Sequence, residues 1–81
     1  MITVYGKHNC GYCTKAKNLL ESKNIPYNYL SIGEDIGINE FREQYPDVRT
    51  APFILNNDVV IGGFDQLQVY LEETTGKNDD F

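Results

Sequence analysis

Ile2-Thr3-Val4-Tyr5-Gly6-Lys7-His8-Asn9-Cys10-Gly11-Tyr12-Cys13-Thr14-Lys15-Ala16 decides the fold, because it joins a β-like run to a helix-like run through the only two cysteines of the chain. The β-branched and aromatic residues at 1–5 predict a first strand. Tyr12, Ala16, Leu19 and Leu20 then recur at helical spacing over residues 11–23, with Asn24 as a left-handed stop and Pro26 just beyond. Cys10 therefore falls at a helix N-terminus, where unpaired N–H groups and the positive end of the helix dipole favour a thiolate.

Downstream, residues 26–32 are aromatic and β-branched and predict a second strand ended by Gly33. It follows a strand and a helix, so a right-handed crossover should place it parallel to the first. A second helix over residues 35–45 carries Ile38, Phe41 and Tyr45 on one face, is weakened at its start by Gly37, and stops before Pro46. Residues 53–56 and 59–61 flank Asn57-Asp58 and read as an antiparallel hairpin without the usual turn glycine. After Gly62-Gly63 a third helix over residues 64–74 turns Leu67, Tyr70 and Leu71 inward, with Asp65 complementing the dipole of its first turn. The order β-α-β-α-β-β-α predicts an α/β fold: a four-stranded mixed sheet with three helices, packed on both faces. With 81 residues the chain supports one domain, residues 1–75, followed by a short polar tail at 76–81.

The net charge of −5 argues against non-specific binding to nucleic acid or to an anionic membrane, both of which need clustered Lys and Arg. No basic, apolar leader pattern opens the sequence, and no apolar stretch approaches the ~18 residues of a spanning helix. The expectation is a soluble, cytoplasmic monomer. Charge is unevenly placed: residues 1–20 hold Lys7, Lys15 and Lys17 with no acid and so carry +3, whereas residues 21–81 carry −8. Lys15 and Lys17 read equally well as solvated helix surface. Lys7, three residues before Cys10, is the better candidate for stabilising a thiolate or an anionic substrate.

Three chemistries compete for the cysteine pair. Structural zinc usually takes four Cys or His ligands, and only His8 is left to join the two thiols within one chain. A purely structural disulfide would close a very short loop, constraining the unfolded chain little. Dithiol chemistry fits the position best: Cys10, at the helix start, attacks a substrate disulfide as thiolate, and Cys13, one turn further in, resolves the mixed disulfide. Helix-start sites lower a thiol pKa from about 8.5 to roughly 3.5–7.5. No bound cofactor or metal is required. A CxxC pair beside a βαβ pattern is a thioredoxin-like redox signature.

The chain resembles a glutaredoxin over nearly its whole length, from Met1 to about Thr75. Four separated features carry the resemblance: Lys7 before the first cysteine, Cys10-Gly11-Tyr12-Cys13, Thr50-Ala51-Pro52, and Gly62-Gly63-Phe64-Asp65. Its size and its Gly-Gly-Phe-Asp-Gln-Leu segment are similar to small bacteriophage-type glutaredoxins. The resemblance implies the thioredoxin-like glutaredoxin fold, with Pro52 as a cis-proline facing the cysteines and Ala51 offering backbone groups to an extended substrate, like an added strand. It implies glutathione as reductant and co-substrate, disulfide-containing client proteins, and ribonucleotide reductase as a possible client. Lys7, with Arg42, Gln44 or Arg49, would meet a glutathione carboxylate. Thr50 borders the groove and Tyr12 flanks the tripeptide. Gly63, Phe64 and Asp65 would hold its γ-glutamyl end, backbone N–H groups taking the carboxylate and Asp65 the ammonium group.

The chain departs from the family pattern at two places. Gly11 stands where proline is usual, adding an N–H and a flexible turn. Gln66 stands where many members carry the Asp that binds the glutathione amine. The first departure leaves room for a glutathione-ligated [2Fe–2S] carrier. The second leaves room for a glutaredoxin-like redoxin that draws electrons from a thioredoxin reductase. His8 reads as a surface residue, with tuning of the thiolate as its alternative.

Overall fold

Strand β1 (Ile2–Gly6) lies between two apolar layers, because Ile2 and Val4 point to one face of the sheet and Tyr5 to the other. In the computed structural model, residues 1–74 are described, and β1 is followed by α1 (Gly11–Ser22), β2 (Tyr27–Ser31), α2 (Ile38–Gln44), β3 (Phe53–Asn56), β4 (Val59–Gly62) and α3 (Phe64–Thr74). The order is the one read from the sequence. The expected tail at 76–81, and Thr75 at the end of the expected domain, lie outside the described residues.

Among the described residues one sheet forms, in the order β2-β1-β3-β4. β1 pairs with β2 in parallel from Ile2↔Tyr27 to Gly6↔Ser31, as the crossover through α1 requires, and with β3 in antiparallel from Ile2↔Asn56 to Tyr5↔Phe53. The β3–β4 hairpin turns at Asn57, whose φ of 55° shows asparagine taking the left-handed position that glycine usually fills. Asn24 does the same after α1, at φ 58°.

One core layer holds Ile2, Val4, Ala16, Leu20, Ile54, Leu67 and Leu71, so α1 and α3 cover the same face. The other holds Tyr5, Phe41, Phe53 and Leu55 beneath α2. There Tyr5, Phe41, Tyr45 and Phe53 form one aromatic cluster, with Tyr45 and Phe53 centroids 4.8 Å apart.

Three local expectations change. The second helix begins at Ile38, not at residue 35, because the Asp35 carboxylate accepts the Ser31 N–H at 2.8 Å and the Asp35 N–H donates to the Ser31 carbonyl at 2.8 Å, closing a turn first. Gly37, at φ −67° and ψ 149°, is the extended residue before the helix. On α1 the inward positions belong to Cys13, Ala16 and Leu20, while Tyr12 is 57% exposed. Ile38, expected on the buried face of α2, is also half exposed. No helix among the described residues is long and apolar enough to cross a membrane.

Candidate active site

Asn9, at φ 57°, swings the chain from the sheet into α1 and leaves Cys10 as the residue that caps the helix. The Cys10 carbonyl accepts the Thr14 N–H at 3.2 Å, and the Cys13 N–H donates to the Cys10 sulfur at 3.2 Å. A helix-start amide thus already points at the sulfur where a thiolate would carry its charge. Cys10 and Cys13 are joined as a disulfide, with Cα atoms 5.2 Å apart. Burial divides their roles: Cys10 is half buried, whereas Cys13 is 1% exposed and packed inward.

The buried Pro52 follows a cis peptide bond from Ala51, as the resemblance implies. The Ala51 carbonyl oxygen stands 3.8 Å from the Cys10 sulfur, close enough to accept from the thiol of the reduced form. The start of α3 leans on the same loop, since a Cβ at Gly63 would stand 3.7 Å from the Pro52 carbonyl oxygen. Gly62 has φ +122°, and a side chain there would also press on Gln66 at 3.0 Å, so glycine is required. Gly11 is different: it is exposed, and an added Cβ would meet nothing within 4 Å.

Tyr12 rises beside the pair, its ring 5.9 Å from the Phe64 ring and 4.9 Å from the Lys15 ammonium. It bridges α1 and α3 on the surface. On the other flank of Ala51 an open groove of ≈ 650 Å³ is lined by Lys7, Arg42, Arg49, Thr50 and Ile38, among others. A second groove of ≈ 640 Å³ lies at Cys10 and is lined by Lys7, Lys17, Glu34 and Asp35, among others. His8 lies there, exposed and paired with Glu34 at 2.8 Å. Tyr29 lines the same groove beneath the Lys17 ammonium, and burial raises the pKa of its phenol.

Lys7, Thr50 and Ala51 thus share one groove, the Ala51 carbonyl reaches Cys10, Pro52 abuts Gly63, and the Tyr12 ring meets Phe64. Asp65 is exposed in the first turn of α3. Of the residues considered for a carboxylate, Arg42 and Arg49 line the groove with Lys7, and Gln44 lines neither groove. Sequence reasoning missed the role of Gln66. Its side-chain oxygen accepts the Gly63 N–H at 3.0 Å, satisfying the donor just before α3. The readable signal was a glutamine three residues after a helix-capping position, the reciprocal half of a capping box.

A glutaredoxin family model matches residues 2–61. The glutaredoxin-like protein NrdH of Lactococcus lactis subsp. cremoris is 36% identical over 66 residues, which cover 79% of this chain and 88% of that protein. The mitochondrial glutaredoxin-2 of Bos taurus is 32% identical over 69 residues, covering 76% of this chain, which spans 41% of the bovine protein. The solved buckwheat glutaredoxin–glutathione complex superimposes with a TM-score of 0.77 at 22% identity, covering 90% of this chain and 69% of that one, and so shares the fold. The half-exposed first cysteine, the buried second one and the cis-proline loop facing them sit within that match, and the chain belongs to the glutaredoxin family, with thiol-disulfide oxidoreduction as its chemistry.

Proposed function

We propose that the protein reduces protein disulfides and glutathione mixed disulfides, with glutathione as the electron source. The observation that carries this reading is the Ala51 carbonyl 3.8 Å from the Cys10 sulfur, on a cis loop that also abuts Gly63. An extended thiol peptide laid along that loop has its sulfur beside Cys10 and its two ends directed to different groups. Lys7, Arg42 and Arg49 suit a carboxylate at one end, beside Thr50. Phe64, Asp65 and the rim residue Tyr12 suit the γ-glutamyl end. The Gly63 N–H is already donated to Gln66, so a carboxylate there uses the next free amides or displaces that side chain.

The steps follow from exposure. The Cys10 thiolate attacks a substrate sulfur, the substrate S–S bond breaks, and the departing thiolate takes a proton from solvent. Cys13 then gives up its proton, attacks the Cys10 sulfur of the mixed disulfide and releases the second substrate thiolate, leaving the Cys10–Cys13 disulfide. One glutathione thiolate attacks Cys10 of that disulfide and frees Cys13. A second attacks the resulting mixed disulfide, so that oxidised glutathione leaves and Cys10 is again a thiolate. The decisive experiment is a glutathione-coupled assay on a glutathione mixed disulfide: Cys10→Ser should abolish turnover, and full activity in that variant would overturn the proposal.

A second reading has its own support in the Gln66–Gly63 hydrogen bond and in the similarity to the Lactococcus glutaredoxin-like protein. In it a thioredoxin-reductase-like enzyme supplies the electrons. The resemblance to redoxins that serve ribonucleotide reductase supports that reductase as a client under either source. Measuring reduction of one protein disulfide with each electron source in turn separates the two readings.

A further inference from the structure

The groove beside Ala51 is lined by Lys7, Arg42 and Arg49 and, among the described residues, by no acidic side chain, in a chain whose net charge is −5. Among the described residues none of these three cations is held in an ion pair. The groove across Cys10 is balanced instead, since Glu34 and Asp35 face its cations and Glu34 engages His8. The cationic groove also has an apolar floor of Ile32, Phe41 and Val48. Ile38, the first residue of α2, lines it with 50% of its surface in solvent. A glutathione carboxylate accounts for a cation here. It does not account for three cations around an apolar floor with an exposed isoleucine, because glutathione has no apolar side chain.

We infer that this groove docks the protein client, taking an extended acidic segment that carries an aliphatic or aromatic residue close to the disulfide cysteine. The inference rests on Cys10 as the attacking thiol and deepens the client half of the proposed function. A client cysteine seated at Cys10, with its backbone running past Ala51 and Thr50, carries its neighbours into the groove. Their carboxylates then meet Lys7, Arg42 and Arg49, and the apolar side chain covers Ile38. Charge complementarity of this kind acts first on encounter and on the choice between partners, and it weakens as salt screens it. A second copy of this chain, itself strongly acidic, is the competing occupant.

The test uses the pre-reduced protein without glutathione and peptide disulfides that differ only beside the cysteine: acidic with leucine, acidic with serine, or lysine-rich with leucine, each placed on either side. For one placement the acidic leucine peptide should react about tenfold faster than the lysine peptide, with the ratio falling as ionic strength rises. Arg42→Glu combined with Arg49→Glu should reverse that preference. Ile38→Ser should erase the advantage of leucine over serine while keeping the advantage of acidic over lysine-rich peptides. Equal rates for acidic and lysine peptides in both placements, a preference unmoved by these variants, or a groove covered by self-association would overturn the docking inference and leave the oxidoreductase reading standing. Failure to reduce any peptide would remove both.

Discussion

The Gln66 side-chain oxygen accepts the Gly63 N–H at 3.0 Å, so the donor at the start of α3 is engaged before any substrate arrives. Replacing Gln66 by alanine should act in two opposite directions. Loss of the capping contact should cost about 0.5–2 kcal/mol of stability. Release of the donor should lower KM for a glutathione mixed disulfide, because substrate no longer competes with the protein's own side chain. Thermal melting and steady-state kinetics on the same preparation check both, and an unchanged or raised KM would show that Gly63 takes no part in binding.

Gly11 occupies the first position of α1 with open space around it, so nothing in the packing demands glycine there. Gly11→Pro should fold, and should gain about 0.4–1 kcal/mol, because proline restricts the unfolded chain and suits the first turn of a helix. It also removes an amide next to Cys10. Redox titration of the variant against the parent should therefore show a changed potential, with denaturant melts reporting the stability.

The burial difference between the cysteines makes Cys13→Ser informative. With Cys10 half buried and Cys13 at 1% exposure, only the outer sulfur is open to incoming disulfides. The variant should keep turnover of glutathione mixed disulfides and lose reduction of protein disulfides, stalling as a mixed disulfide visible by mass spectrometry. Complete loss of both activities would contradict that division of labour.

The Tyr27 hydroxyl donates to the Glu21 carboxylate at 2.6 Å, tying the end of α1 to β2. That hydrogen bond, then burial and the charge of Glu21, push the phenol pKa from 10.0 up to about 12. The folded state therefore holds a proton that the unfolded chain releases at lower pH. The associated stability is complete below the unfolded value of about 10 and is lost as pH rises through about 12. Unfolding midpoints measured at about pH 9 and about pH 11 should converge more in Tyr27→Phe than in the parent.

Much of this molecule was legible in its sequence because the signals were local. The β-branched and aromatic run of the first strand, the Asn24 stop, the Asn57-Asp58 turn and the cysteine spacing each depend on near neighbours, and each appears where it was read. The errors have the opposite character. The start of α2 was lost to a side chain, since Asp35 closes a turn that helical periodicity does not register. Ile38 was placed on the inner face by spacing alone, yet it is half exposed, and Tyr12 is exposed although its spacing matches that of the buried Ala16. The convergence of Ala51 on Cys10 joins residues 41 apart in the chain, and only the family resemblance anticipated it.

The two core layers have a consequence for how such a protein can diversify. The sulfur chemistry hangs on α1 and α3, which share the aliphatic face of the sheet, whereas the cationic groove is framed by α2, which sits on the aromatic face behind it. Changes at Ile38 or Arg42 thus fall on a different helix from the two that carry the sulfur chemistry. One redox engine can be refitted to new customers without being rebuilt.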